Sequence, residues 1–183
     1  MHIPNTKRLR FRFLTANDSD LFFDLDQDPE VMKYINGGII STRQTIAAWY
    51  TPRLASYADQ ERGWGLWGVF LTEDDSYLGW ILVRPMHFFT DERDDTDLEV
   101  GWRFFRSAWG RGYATEAAQA VMNHLESKSA CERFTAHAKK ENTASINVMQ
   151  KLGMTFVSEA IEPETFGDKI CVVYSRSAEE SNR

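Results

Sequence analysis

The sequence is poor in cysteine. Cys131 and Cys171 are the only two among 183 residues, and no C-x-x-C pair is formed. A disulfide framework is thereby excluded as the organising device. One bridge stays open on spacing alone, and a reducing, cytoplasmic compartment fits best. Long apolar runs are also missing. Nothing approaches 18 consecutive apolar residues, so no membrane-spanning helix is expected. Residues 1–14 alternate charged and apolar side chains without an apolar h-region, so no signal peptide is expected. Positive charge is not in excess: 21 Lys+Arg face 27 Asp+Glu, a formal charge of −6. Generic binding to nucleic acid or to an anionic membrane needs clustered Lys and Arg, and is not expected. The four histidines, His2, His87, His124 and His137, show no H-E-x-x-H spacing, so no metal site is expected. His124 shares a helix with Val121 and Leu125 and reads as structural. There is no G-x-S-x-G elbow and no Walker loop.

What is present suffices for one core. Hydrophobic residues make up 43% and aromatics 13%. At this length one domain is the default, here 1–177, with a polar tail at 178–183. Lys7 to Leu14 alternates with period two, placing Leu9, Phe11 and Phe13 on one face and Arg8, Arg10 and Arg12 on the other. Asn17 or Asp18 can cap a short helix carrying Leu21, Phe22 and Leu25. Asp28-Pro29 opens a second helix, ended by Gly37-Gly38. Ser41 or Thr42 caps a longer helix to about Gln60, which Pro52 should kink or divide. Trp64–Leu71 and Tyr77–Val83 read as antiparallel strands around the turn Glu73–Ser76. Leu98–Phe104 is the next strand and Ala114–Ser127 the next helix, with Ala117, Ala118, Val121, Met122 and Leu125 on one face. Strand Arg133–Ala138, helix Asn142–Leu152 and strands Phe156–Glu159 and Ile170–Ser175 follow. This order predicts an α/β chain with a mixed, largely antiparallel sheet, not the strict alternation of a doubly wound fold.

Gly63-Trp-Gly65-Leu-Trp-Gly68 matches G-x-G-x-x-G, but strand formers follow it where a dinucleotide loop would open a helix, so that function is rejected. A different glycine-rich turn carries chemistry. Arg106-Ser-Ala-Trp-Gly-Arg-Gly-Tyr-Ala-Thr-Glu-Ala117 follows a strand and opens a helix. Gly110 and Gly112 permit a sharp turn, and Arg111 adds charge. The first N–H groups of the helix lack intrahelical acceptors and sit at the positive dipole end. Such a turn is either a phosphate or pyrophosphate site or an ordinary strand-to-helix connection. Thr115 can cap the helix or bond a phosphate oxygen.

Trp109-Gly-Arg-Gly-Tyr-Ala-Thr-Glu-Ala117 resembles the acetyl-CoA loop of the GNAT superfamily of N-acetyltransferases, whose pattern is Q/R-x-x-G-x-G/A. Gly112 and Ala114 take the last two fixed positions, and Trp109 stands where Gln or Arg is usual. Trp there is similar to the RimJ/RimL type, the ribosomal-protein N-terminal acetyltransferases. Asn142-Thr-Ala-Ser-Ile-Asn-Val-Met-Gln-Lys-Leu-Gly-Met154 resembles that branch's N-x-x-S-x-x-V-x-x-K-x-G-F. Leu98-Glu-Val-Gly-Trp102 resembles its pantetheine-binding strand, and Arg8-Leu-Arg10 and Asp28–Tyr34 also fit. The resemblance spans residues 7 to about 175.

It implies a bent mixed sheet flanked by helices, in which strands 98–104 and 133–138 splay apart to admit acetyl-CoA. Backbone N–H groups of Arg111, Gly112, Ala114 and Thr115, with Tyr113 between them, would hold the pyrophosphate beside Arg106. Val100 or Gly101 would pair with the pantetheine amides, and Asn142 would bond the cofactor arm unless it only caps its helix. Many family members use a Tyr as general acid seven positions after this Asn. Here that position is Met149, which leaves Ser145 to protonate or hydrogen-bond the leaving sulfur. Glu99 is the expected base, through water, with a solvated edge carboxylate as the bland alternative. The implied activity is acetyl transfer to a primary amine, foremost a protein or peptide α-amine. A polyamine, amino acid or aminoglycoside acceptor is the rival, and a CoA-binding module without turnover the third. Dimers are common in the branch.

The acceptor side is less determined. Trp64, Trp67, Trp80, Phe88 and Phe89 can line it, although Trp80 reads as core. The helices in 17–60, the segment 84–97 and the loop 160–169 are candidate walls. Residues 91–99 carry a net charge of −5, leaving −1 for the other 174. That run either attracts a cationic amine or is a solvated loop.

Overall fold

Alternation of apolar and arginine side chains makes Leu9–Leu14 the first strand, β1, with Leu9 and Phe11 buried. The computed structural model describes residues 1–161 and 170–178. β1 is followed by β2 (Gly65–Leu71), β3 (Tyr77–Met86), β4 (Asp94–Phe104), β5 (Arg133–Ala138), β6 (Thr155–Ile161) and β7 (Ile170–Ser177). They form one sheet in the order β1-β2-β3-β4-β5-β7-β6. Every described pairing is antiparallel except β4 with β5. The expected mixed, largely antiparallel sheet is what forms.

Helices cover both faces. On one side lie α1 (Ser19–Leu25), α2 (Pro29–Asn36), α3 (Arg43–Thr45) and α4 (Thr51–Tyr57). Phe22, Ile46, Leu54 and Tyr57 pack there on Leu14 and Leu66. On the other lie α5 (Tyr113–Lys128) and α6 (Thr143–Lys151). The predicted α5 stripe of Ala117, Ala118, Val121, Met122 and Leu125 is fully buried against Ile81, Val83, Leu98, Val100 and Phe134. Alternation along β3 and β4 therefore sends Val83, Leu98 and Val100 toward α5. It sends Trp80, Leu82, Arg84, Glu99, Gly101 and Arg103 toward α1–α4, where Trp80 and Leu82 join the second cluster.

Two local expectations are corrected. Asp18 holds the N-cap position of α1, but the bonded cap is Thr15, ahead of the turn Ala16–Asp18: its hydroxyl accepts from Asn17 N–H, while the Asp18 carboxylate accepts from Thr15 N–H at 2.8 Å. That carboxylate also takes Arg12 at 2.7 Å, so it makes no cap bond to α1. Pro52 does not divide its helix. A π turn over Ile46–Tyr50 joins α3 to α4, with Thr51 N–H bonding Ile46 O. Widening the turn just before the proline accommodates a ring that would clash in a regular helix.

Candidate active site

β4 and β5 are hydrogen-bonded only from Asp97↔Arg133 to Glu99↔Thr135. Beyond that point β4 stays on β3 and β5 stays on β7, so the two strands part. Asp97 fastens the apex: its carboxylate accepts from Arg133 Nε at 2.7 Å and from Thr135 Oγ1 at 2.8 Å. Past the apex, Val100–Phe104 and Ala136–Ala138 turn edges toward each other that no strand fills. A ligand with amides spaced like a peptide can take a strand's place there.

The wedge opens onto the start of α5. Gly112 is the N-cap, with φ of +79°, and no side chain caps the helix. The first helical bond is Glu116 N–H to Gly112 O at 3.0 Å. The N–H groups of Tyr113, Ala114 and Thr115 therefore point outward unused by the helix, at its positive end. Thr115 lies inside the first turn and is not the cap. Arg8, just before β1, braces this turn: it bonds Glu116 through Nε at 2.7 Å, donates to Arg111 O at 3.1 Å, and stacks over the Tyr113 ring at 4.6 Å.

A cleft of about 640 Å³ runs from this turn through the wedge to helices α2 and α4. Ser145 and Asn142 line it from α6. Asn142 is the N-cap of α6, its side-chain oxygen accepting from Ser145 N–H at 3.2 Å. The cap uses the oxygen and leaves the side-chain NH₂ as a donor. At the apex stand three polar side chains that scarcely touch solvent. Arg84 Nε donates to Glu99 Oε2 at 2.6 Å, and His137 Nδ1 lies 3.8 Å from Glu99 Oε1. Burial alone would raise the Glu99 pKa, but the Arg84 charge and the His137 ring outweigh it and hold the carboxyl at about 2. Burial pushes the neighbouring Tyr57 phenol up to about 12, so it stays a neutral donor.

Residues 8–155 match the family model for the acetyltransferase (GNAT) domain. The chain belongs to the GNAT acetyltransferase family. YnaD of Bacillus subtilis (strain 168), an uncharacterized N-acetyltransferase, is 30% identical over 154 residues, 84% of this chain and 82% of YnaD. Two solved structures share the fold at low identity. RimL, a ribosomal L7/L12 α-N-protein acetyltransferase in complex with coenzyme A, superposes with a TM-score of 0.76 at 16% identity, covering 99% of this chain and 100% of that one. The aminoglycoside acetyltransferase AAC(6′)-Ib in complex with coenzyme A gives 0.73 at 15%, covering 92% and 94%. As a GNAT enzyme the chain is an acyltransferase that takes its acetyl group from acetyl-CoA. The unfilled strand edges and the uncapped, glycine-rich start of α5 fit that cosubstrate.

The GNAT cleft gathers most of the residues singled out in the sequence. Glu99, Val100, Gly101, Gly112, Tyr113, Ala114, Thr115, Asn142 and Ser145 all line it. Arg106 does not: it reaches Asp28 at the start of α2, 3.0 Å away. Arg111 is exposed and stacks beside Tyr113 at 5.2 Å. Met149, at the position where many relatives carry Tyr, is fully buried in the core. Glu99 is no solvated edge carboxylate. Trp80 packs on the second core cluster, as expected, and also lines the cleft, whereas Trp64 and Trp67 are core. Phe88 and Phe89 pack edge-on against Tyr57. The acidic run is neither a free field nor a loop throughout. Asp94–Asp97 begins β4, Asp97 holds Arg133, and Asp95 takes Arg62 and Arg93 at 3.2 and 2.5 Å. Residues 162–169 of the expected 160–169 wall, and the tail from 179, lie outside the described residues.

Sequence reasoning missed Arg84 and His137. The period-two rule offered a signal for both. Once β3, β4 and β5 are aligned, Arg84, Glu99, Thr135 and His137 fall on one face. That alignment is not visible in any single segment.

Proposed function

We propose that this GNAT enzyme acetylates a protein or peptide α-amine by direct attack within a ternary complex, in the manner of the RimJ/RimL branch. The observation that carries this is the state of Glu99. Bound to Arg84 Nε at 2.6 Å and held well below the usual carboxylate range by that charge, it is ionised at neutral pH and is a weak proton acceptor. It holds an incoming ammonium by charge and hydrogen bond, directly or through water, but extracts a proton poorly. Such a site suits an acceptor that is already partly neutral. An α-amine, with a pKa near 8, meets that condition and a Lys amine, near 10.4, does not.

In this proposal the N–H groups of Gly112, Tyr113, Ala114 and Thr115, with Arg111 at the rim, hold the pyrophosphate. Arg106 acts one step back, through Asp28. Backbone groups of Val100 and Gly101 pair with the pantetheine amides, and the Asn142 NH₂ bonds the same arm. Acetyl-CoA supplies the activated acyl group. A backbone N–H near Val100 polarises its carbonyl, and Ser145 hydrogen-bonds the sulfur as it leaves. The amine enters from the α2–α4 side, past Trp80 and Tyr57. We propose a cytoplasmic enzyme whose working assembly is a homodimer. Among the described residues no helix is long and apolar enough to cross a membrane.

A thiol-release assay with acetyl-CoA tests the proposal. The panel holds peptides with free α-amines, the same peptides blocked at the N-terminus but carrying Lys, a polyamine, an amino acid and an aminoglycoside. Turnover on free α-amines above all others is the expected result. Preference for a small amine moves the enzyme to the rival class. CoA binding with no amine-stimulated release leaves a binding module.

A further inference from the structure

We propose that the acceptor half holds a subsite for a large apolar or aromatic side chain on the residue that carries the amine. This deepens the α-amine proposal above and rests on it for the peptide nature of the acceptor. The floor of the subsite is the β3–β4 ladder. Its register puts three rungs on the face toward α1–α4: Arg84↔Glu99, Leu82↔Gly101 and Trp80↔Arg103. Successive rungs on one face are about 7 Å apart. The first rung is ionic. The middle rung is low, because Gly101 adds no side chain and Leu82 leans over it, 3.4 Å from where a Cβ would stand. The third rung rises again in the Trp80 ring. An amine held at Glu99 therefore has an apolar trough beside it. A side chain as long as the rung spacing runs from that amine over Leu82 and ends against Trp80.

The far wall is held from behind. The Arg103 guanidinium lies 5.0 Å from the centre of the Trp80 ring and 5.9 Å from that of Tyr50. Arg103 is itself fixed by the buried Asp26 carboxylate, which also accepts from Ser41 Oγ at 2.6 Å. Leu54 and Tyr57 of α4, with Tyr50 of the π turn before it, face the trough from across the cleft. Tyr50, Trp80, Leu82 and Gly101 are only partly buried, so their surface stays open to whatever enters.

Charge narrows the class further. Among the described residues lining the cleft the carboxylates are Glu30 and Glu99, and the guanidiniums of Arg53, Arg84 and Arg103 stand on the same side. Glu99 is already bound to Arg84, and Glu30 has Lys33 at 3.7 Å. A polyamine or aminoglycoside brings several ammonium groups, and each one that is buried needs a partner. This half provides one place for an amine and an apolar wall beyond it. The matching acceptor is a single amine on an apolar body.

Two measurements test this. The first uses acetyl-CoA and peptides identical except for the first residue, which is Phe, Leu, Gly or Lys. We expect kcat/KM for Phe and Leu to exceed that for Gly about 30-fold, with Lys no better than Gly. Ratios within about threefold would overturn the subsite and leave the α-amine reading standing. In Trp80→Ala the Phe-to-Gly ratio should shrink about tenfold, and an unchanged ratio in a folded variant would also overturn the proposal. The wild-type ratios decide the matter if that variant fails to fold. The second measurement sets 2-phenylethylamine against ethylamine. An enzyme that ignores every peptide but prefers 2-phenylethylamine about tenfold keeps the subsite and loses the α-amine reading. Equal rates on the two amines, together with flat peptide ratios, remove the subsite whatever the acceptor.

Discussion

The two halves of the cleft are built by opposite means. The cofactor half is made of backbone: the N–H groups at the start of α5, the vacant edges of β4 and β5, and the φ of +79° at Gly112. Its pyrophosphate end comes from one short stretch, the turn into α5, and Arg8 only steadies that turn. The acceptor half is made of side chains on separate elements: Tyr57 on α4, Arg84 on β3, Glu99 on β4 and His137 on β5. Backbone groups are the same in every residue, so a backbone site tolerates sequence change wherever the turn survives. A side-chain site depends on each member and on the sheet register that assembles them. One fold can therefore keep a constant cosubstrate and exchange acceptors.

Breaking the side-chain half should cost the most. Arg84→Met leaves Glu99 as a charge in a nearly dry site, with the guanidinium 2.6 Å away removed. Removing one partner of a buried pair costs on the order of 3 kcal/mol. We expect that loss in urea unfolding at pH 7, and much of it back in the Arg84→Met, Glu99→Leu double variant. A loss under about 0.5 kcal/mol would mean the pair does not hold this half together.

Acid should attack the same half. The folded pKa of Glu99 is about 2, below the ordinary 4.5. A depressed carboxylate contributes its stability above the unfolded pKa and loses it as pH falls through the folded one. Stability of the wild type should therefore decline between about pH 4.5 and 2 more steeply than that of Glu99→Gln. Equal slopes would place the acid-sensitive group elsewhere.

The backbone half should respond to conformation and not to charge. At Gly112 a Cβ would sit 3.6 Å from Arg8 Nη2, so there is room, but the positive φ opposes any β-branched residue. Gly112→Val should weaken CoA binding about tenfold while urea unfolding stays cooperative, because αL strain of about 1–2 kcal/mol falls on the turn itself. Calorimetric titration with CoA reads this directly. Unchanged affinity would mean that the turn does not set the N–H groups.

This contrast explains what was legible in the sequence. The α5 turn was, because Gly110, Gly112 and the stripe from Ala117 to Leu125 lie within one segment. The wedge between 98–104 and 133–138 was expected from family resemblance, and the structure shows what holds its apex, the Asp97 clamp to Arg133 and Thr135. The state of Glu99 was not legible. Whether it is a solvated edge group or a buried partner depends on Arg84 being opposite it, 15 residues away. Asp95 and Asp97 misled for the same reason: a run of acids looks like a field until the arginines from β2's approach and from β5 are placed beside it. Trp80 read as core, and it does pack on the cluster under α1–α4; that it also lines the cleft depends on where those helices sit over β3.

Arg8 is the point where the comparison is weakest, since it is a side chain serving the backbone half. Its guanidinium holds Glu116 and the Arg111 carbonyl and covers the Tyr113 ring. Arg8 is nevertheless 44% exposed in its side chain, and exposed ion pairs contribute at most about 1 kcal/mol. Arg8→Ala should therefore loosen the turn without removing any N–H donor. CoA affinity should drop about threefold at low salt, with the gap to wild type narrowing as salt screens the Glu116 pair. A drop as large as that of Gly112→Val would show that the turn is held by this arginine and not by its own glycines. The division between a backbone half and a side-chain half would then fail at the pyrophosphate end.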